Sequence, residues 1–566
     1  MQTKNTSHFR FFGNLLGAGL MLLLSNGLPG QDNDTCITCH EDSYFAHKYP
    51  HIEVPRVVFS DTVHARFDCV DCHYTGYEDY PHCNKFVAKV NCAECHEKQA
   101  QDYRMSGHHQ SRRSGNLSAP DCVDCHSMHA IQPPESGLQG RRSVELCSRC
   151  HANEAQSARF QLKGNVVESF KTSYHGQMYN LGFEGSRYAT CVSCHDNHAI
   201  LASDQPGSTV GRERIVETCA QCHDGANDHF VGYLTHYSPD DDRHFLLNLV
   251  FRSMELLLVS VMVVFGLHTL LWFLITVTRR SKEDHEGHEH RPKGPRKSVI
   301  RFKMHERIQH MIMALAFLVL AFTGLPLKFS ESTISKWVAT HLIGFEQAAL
   351  LHRVAGVVML LLFAFHVGLL LWKILVNKRW DYLWGRNSLV PQPRDLVEFW
   401  GHLKYFLHLR PRPPAFSRWT YWEKFDYLAV FWGMLVIGLS GLVLMMPLFV
   451  TKWLPGWVIN ACHIVHSEEA LLATAFIFVV HFFNTHLRPA AFPMDDSIFT
   501  GRVSVDQLKE ERPAEYEELV AKGKLAELEA KPLVYWKVVL VRLVGFLFLF
   551  TGLALLFWIL SSLIFH

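Results

Sequence analysis

The sequence lacks an excess of charge of either sign, and it lacks cysteines left over for pairing with one another. Fifty-five Lys and Arg stand against 54 Asp and Glu, a formal net charge of +1 over 566 residues. No nucleic acid or other polyanionic partner is expected from that balance. Of the 16 cysteines only Cys83 and Cys462 lie outside a repeated C-x-x-C-H spacing. A disulfide framework is therefore excluded as the reason for the cysteine content, even in an exported segment. No unit ends in Lys in place of His. Long apolar runs are missing from residues 31–244 and frequent from 245 onward, so the chain reads as a polar half followed by a membrane half.

The N-terminus has Lys4 and Arg10, then a short apolar stretch from Phe11 to Leu24, then small and turn-forming residues. This pattern predicts a secretory signal peptide over residues 1–30, too short for a stable span. The polar half over 31–244 carries seven C-x-x-C-H units: Cys36–His40, Cys69–His73, Cys92–His96, Cys122–His126, Cys147–His151, Cys191–His195 and Cys219–His223. That spacing is the one used for c-type haem attachment. Two cysteine sulfurs join the porphyrin vinyl groups, and the adjacent His supplies an axial ligand. The cofactor-binding cysteines are thus Cys36, Cys39, Cys69, Cys72, Cys92, Cys95, Cys122, Cys125, Cys147, Cys150, Cys191, Cys194, Cys219 and Cys222. The proximal ligands are His40, His73, His96, His126, His151, His195 and His223.

Internal repetition nominates the second axial ligands. The stretches SGHH…DCVDCHSMHAI and SYHG…TCVSCHDNHAI place His108 beside His175 and His129 beside His198 in equivalent positions. His64 precedes the second unit as His108 precedes the fourth, His82 lies between units two and three, and His236 sits in a context like that of His175. These seven are the expected distal ligands, with His47, His51, His109, His229 and His244 as bystanders. Two nitrogen ligands close an iron for electron transfer, whereas an open position permits substrate chemistry. The repeats group the units as one single followed by three pairs. Short helices and loops, with little regular sheet, are expected around them.

Six apolar segments near 245–277, 305–328, 347–375, 425–449, 460–487 and 535–563 are each long enough to span a bilayer. The expected organisation is a first span over 245–278, a basic linker over 279–304, a membrane domain over 305–490, a loop and helix over 491–534, and a last span over 535–566. The loops beginning at 279, 376 and 488 hold most of the Lys and Arg, so they are expected on the cytoplasmic side. The polar half and the C-terminus then face outward. The fold class that follows is a multihaem c-type cytochrome domain of short helices and loops, followed by an all-α transmembrane bundle of about six spans.

Ionisable residues inside a bilayer are functional candidates. His352 and His366 are 14 residues apart, roughly 21 Å along a helix, and His466 and His481 are 15 apart on another span. His352 and His466 fall near the outer face; His310, His366 and His481 fall towards the cytoplasm. Paired histidines on facing helices can hold two b-type haems. His268 is a candidate support for the inner haem or for a quinone; His305, His463 and His486 are expected at the interfaces.

The stretches MHERIQHMIMALAFLVLAFTGLP, LHRVAGVVMLLLFAFH and IVHSEEALLATAFIFVVHFFNTHLRP resemble the dihaem cytochrome b subunits of formate dehydrogenases and nickel–iron hydrogenases, over roughly 300–490. The resemblance implies His310, His352, His466 and His481 as ligands. It leaves the inner haem with His481 and either His310, by resemblance, or His366, by spacing. The whole chain resembles the inner-membrane b/c-type multihaem cytochromes of bacteria that respire extracellular acceptors. That resemblance implies seven haem c, two haem b and a quinone or quinol substrate. It implies a place in the cytoplasmic membrane with the c-haem domain in the periplasm, and partners in the membrane lipid, the quinone pool and a periplasmic redox protein. The expected activity is that of a quinol dehydrogenase in a respiratory chain. The alternatives are a terminal reductase of nitrite, hydroxylamine or a sulfur oxyanion at an open c haem, and reverse flow that delivers electrons to quinone.

Overall fold

A computed structural model describes residues 33–42, 54–75, 88–133, 140–153, 155, 157, 165–183, 188–283, 297–386, 388–488, 491–531 and 533–565. The expected signal peptide, His82 and most of the basic linker lie outside these residues. The chain divides into two compact units, one of residues 1–153 with 185–218, the other of residues 154–184 with 219–566. The seventh C-x-x-C-H unit falls in the second of these, with the membrane helices.

In the first unit the described elements are short helices, and each haem motif begins on one. The residue before the motif explains why. Asp121 N–H donates to Asp124 Oδ2 at 2.7 Å, and Val123 N–H donates to Asp121 Oδ1 at 3.3 Å. Asp68 N–H donates to Asp71 Oδ2 at 2.9 Å, and Thr190 N–H to Ser193 Oγ at 3.0 Å. The sequence D-C-V-D-C-H is thus its own capping box: a polar cap, with the cap's N–H returned to a side chain three residues on. The same two repeats end alike. Ser127 and Asp196 follow the motif histidine at φ of 63° and 67°, a conformation uncommon for residues other than glycine. That sharp reversal sets the path of the following M-H-A-I and N-H-A-I segments.

The second unit is built on six helices long and apolar enough to cross a membrane. With the amphipathic helix that lies between the third and fourth of them, they are α1 (Phe245–Glu283), α2 (Met304–Lys328), α3 (Phe345–Leu371), α4 (Pro393–Phe406), α5 (Tyr421–Met445), α6 (Trp457–Phe476) and α7 (Tyr535–Ile564). Helix α6 continues through wide turns over Ile477–His481 and Phe483–Leu487. Such π-type turns disrupt regular packing and recur at functional sites. Helix α2 packs on α3, α5 on α6, and α1 along α6.

The segment 376–424 was expected as a loop, yet it contains α4. Pro393 occupies its first turn, and Gln392 N–H donates to Asp395 Oδ2 at 2.6 Å. The buried Lys424 ammonium holds Asp395 at 2.8 and 3.0 Å, which clamps α4 to α5. Beyond the spans, β1 (Ser298–Ile300) lies between β2 (Arg502–Ser504) and β3 (Glu529–Ala530), antiparallel to both, with Val299 opposite Val503. Within 491–534, expected as a loop and helix, Pro513 separates two helices, Val505–Glu511 and Pro513–Ala521. The inner face of this segment is covered: Leu508 packs with Val299 and Val503, and all three are buried. Arg301 ties this cap to the bundle through Glu423 and Glu515, both at 3.2 Å, while Arg512 reaches Glu423 at 2.9 Å.

Candidate functional site

Five of the C-x-x-C-H histidines face histidines that the sequence nominated as partners. Among the described residues His96 stands opposite His64 (ring centroids 6.0 Å apart), His73 opposite His129 (5.9 Å), His126 opposite His198 (5.9 Å) and His151 opposite His108 (6.2 Å), all in the first unit. In the second unit His223 stands opposite His175 at 6.2 Å. Two imidazoles sharing one metal through bonds of roughly 2 Å have their centroids about 6 Å apart. The five pairs have that separation.

The pairing follows a register. A histidine ahead of a repeat (64, 108 or 175) faces the second motif that follows it (His96, His151 or His223). A histidine three residues after a motif (129 or 198) faces a motif two positions earlier (His73 or His126). The first type is positioned by a serine. Ser106 Oγ accepts the His109 N–H at 3.2 Å, and Ser173 Oγ accepts the Gly176 N–H at 3.3 Å. Each serine caps a short helix on whose first turn His108 or His175 sits.

Attachment points also cluster. The thiol of Cys69 is hydrogen-bonded to Cys36, that of Cys122 to Cys92 and that of Cys147 to Cys191. Contact therefore links motifs one with two, three with four and five with six, whereas sequence repetition groups two with three, four with five and six with seven. Burial and the facing ring hold His175 down to about 4, and the same two causes lower His108. Burial comes first for His126 and His129 as well. These sites thus keep imidazole neutral, the form that binds a metal.

Of the remaining sequence candidates, His82 lies outside the described residues. His236 donates its Nδ1 proton to the Val166 carbonyl at 2.9 Å, which fixes the tautomer. His229, set aside as a bystander, likewise donates Nδ1 to the Thr451 carbonyl at 3.2 Å.

The membrane bundle encloses a cavity of about 2330 Å³ lined by His175, His223, His352, His466, His310 and His481. Pockets for drug-sized ligands hold roughly 300–1,000 Å³, so this space is of a size for more than one large group. Near the end where α3 and α6 begin, His352 and His466 face each other with centroids 6.2 Å apart. Each has its second nitrogen anchored. Thr323 Oγ1 donates its own proton to the Val319 carbonyl at 2.7 Å and so accepts from His352 Nδ1 at 2.9 Å. His466 Nδ1 donates to the Ile437 carbonyl at 3.0 Å. Both Nε2 atoms are thereby left bare. Glycines make room: a Cβ on Gly324 would stand 3.3 Å from His352 Cε1, and one on Gly441 3.0 Å from His466 Cε1. Two neutral, oriented imidazoles around an apolar space fit a b-type haem between them.

At the other end His310 and His481 line the same cavity and lie within electrostatic range of each other. His481 Nδ1 donates to Asp426 Oδ2 at 3.1 Å. His366, the alternative partner of His481, is occupied at both nitrogens: Nδ1 meets Gln309 Oε1 at 3.0 Å and Nε2 meets Tyr427 Oη at 2.9 Å. His310 and His366 both line the cavity with His481, and His366 carries hydrogen bonds at both ring nitrogens. His268 does not line the cavity; its Nε2 meets the Tyr421 hydroxyl at 2.7 Å, and His402 Nδ1 meets the same oxygen at 2.9 Å.

Sequence reasoning missed Thr323, Gly324, Asp426, Gly441 and the partners of His366, Gln309 and Tyr427. A Thr-Gly pair one turn from the end of α2 is the only signal that could have been noticed; the rest depends on which helices meet.

The family profile described as the doubled CXXCH motif matches residues 115–156 and 185–228. These stretches hold motifs four with five and six with seven, two of the pairs seen in the sequence repeats. No curated protein matches the chain. The doubled motifs indicate covalent haem c binding and support a multihaem c-type cytochrome domain, which suggests electron transfer, in a chain with six helices long and apolar enough to cross a membrane.

Proposed function

We propose that the chain is a quinol dehydrogenase of a bacterial cytoplasmic membrane, carrying seven haem c and two haem b. The observation that carries this reading is the single cavity lined by the His352–His466 pair at one end, by His310 and His481 at the other, and by His175 and His223 beyond. When bound, the haems supply one-electron redox chemistry, and the protein sets their ligands and surroundings.

The residues then have separate tasks. His352 and His466 hold one haem b, steadied by Thr323 and the Ile437 carbonyl. His310 and His481 hold the other, with Asp426 fixing the tautomer of His481. The Gln309–His366–Tyr427 group opens on the cavity near the second site and takes the part of proton acceptor. A quinol hydroxyl there loses its proton to the His366–Tyr427 pair as its electrons leave. Oxidation of one quinol releases two electrons and two protons. The electrons pass one at a time, and the protons leave through side chains at the basic end of the bundle. The loops 329–346 and 450–459 carry little positive charge and so fall outside by the same charge rule; they are the ones contacted by the segments carrying His175 and His236, which favours an outward-facing place for those segments.

The test is a redox titration of purified protein, with haem c and haem b counted by pyridine haemochrome. A reduced quinol analogue is expected to reduce the b bands and then the c bands, and oxidised protein is expected to show low-spin ferric EPR signals alone. A stoichiometric high-spin signal would turn the reading to a terminal reductase. Reduction of quinone by externally reduced c haem, without the opposite reaction, would turn it to reverse flow.

A further inference from the structure

We propose that the Cys219–His223 haem site, with His175 across from it, is the junction where electrons pass between the membrane module and the c-type chain. The proposal rests on the electron-transfer reading above and adds which of the c-type sites serves the membrane. Among the described residues it is the one C-x-x-C-H site that belongs to the unit of the membrane bundle.

Two chain segments build the junction, and both are fastened to the same end of the bundle. The first carries His175. Asn180 Nδ2 donates to Ser330 Oγ at 3.0 Å in a buried contact, Lys171 pairs with Glu331 at 3.5 Å, and Phe183 meets Phe345 edge to face at 5.7 Å. The second follows Cys219–His223. Gly456 N–H donates to the His229 carbonyl at 2.8 Å, and His229 Nδ1 donates to the Thr451 carbonyl. Asn460 Oδ1 accepts the Leu234 N–H at 3.0 Å while its Nδ2 donates to the Leu234 carbonyl at 2.9 Å. The Asn460 amide so imitates a strand neighbour. Only glycine fits at 456, because a Cβ there would lie 2.3 Å from the Tyr233 nitrogen. Buried hydrogen bonds of this kind are costly to break once one partner is lost, so the two segments are held to the bundle and not merely laid on it.

The space between the ligand pairs is continuous. His175, His223, Tyr174, Arg353, His352 and His466 line one cavity, and Tyr174 lies within electrostatic range of Arg353. The step is one electron at a time. With haem held at both sites, the electron would leave the group held by His352 and His466, oxidising it, and reduce the one held by His175 and His223. No bond forms or breaks and no proton moves.

The experiment compares three full-length variants in detergent with the parent protein. The Cys219→Ala/Cys222→Ala variant loses the junction haem, and mass and haemochrome confirm one haem c fewer. The Cys69→Ala/Cys72→Ala variant loses a different one. The Asn180→Leu/Asn460→Leu variant keeps every attachment and loosens the docking. The readout is the microwave-power saturation of the b-haem EPR signal, which reports a paramagnetic neighbour without turnover. Slower relaxation is expected in the first and third variants and none in the second. A quinol-analogue pulse is then expected to reduce the b bands alone in the first variant, and both b and c bands in the second. Equal relaxation in all four proteins, or c-band reduction in the first variant as in the parent, overturns the proposal. A parent protein whose b bands resist quinol sinks the quinol reading instead, and the relaxation comparison still decides the junction.

Discussion

The hydroxyl of Thr323 accepts a hydrogen bond from His352 Nδ1–H at 2.9 Å while donating its own to the helix carbonyl of Val319. A side chain one helix away therefore decides which nitrogen of His352 is bare. Loss of such a supporting partner typically lowers metal-site affinity by roughly 10–100-fold. Thr323→Val is expected to purify with its haem c intact and haem b reduced, and Thr323→Ser with both retained. Haemochrome ratios of b to c measure this.

Helix α5 approaches His466 closely enough that Gly441→Ala would push a methyl to 3.0 Å from the imidazole. Overpacking of this kind costs about 1–3 kcal/mol. Gly441→Ala is expected to lose haem b with helix content unchanged, by circular dichroism against haemochrome. Gly324→Ala, at 3.3 Å from His352, is expected to lose less.

His366 is held at both nitrogens by Gln309 and Tyr427. Its replacement by leucine is expected to leave both haem b in place and to slow quinol oxidation, by roughly 10²–10⁴-fold if it acts as general base. Retained turnover with one haem b missing would instead make His366 a ligand.

The register of facing histidines stops short of the first haem motif. His129 serves His73 and His198 serves His126, each lying just after the motif two positions later. No histidine stands just after the third motif, where the register would place the partner of His40, so His82, the sequence candidate between motifs two and three, is the expected ligand there. His82→Ala is expected to add one high-spin ferric signal while mass spectrometry still finds the haem attached. His47→Ala and His51→Ala are expected to leave the spectrum unchanged.

Arg301 is buried between Glu423 and Glu515 and ties the sheet of the cap to α5. Removing one partner of a buried ion pair costs roughly 3–5 kcal/mol, because the other charge stays buried without it. Arg301→Met is expected to lower the melting temperature of the membrane unit markedly. A variant with unchanged Tm would show the network to be solvent-relaxed.

Much of this protein was legible before any fold was known. The C-x-x-C-H spacing is local chemistry, since both sulfurs and the proximal imidazole must come from one short stretch. The six spans are local too, set by length and hydropathy against the thickness of a bilayer. The matched repeats even named most of the histidines that face the motifs, because repeated sequence folds into repeated position. Which histidine faces which motif was not local. His108 skips the motif nearest to it and meets His151, and sequence grouping paired motifs differently from the contacts between their cysteines. The helix packing decided that His366 spends both nitrogens on Gln309 and Tyr427. It also gave Gly324 and Gly441 their meaning, since a glycine in a membrane helix is silent until a neighbouring ring comes near. The seventh motif's place with the membrane helices depends on Asn180, Gly456 and Asn460 meeting segments far away in the chain, a relation that no spacing along the sequence expresses.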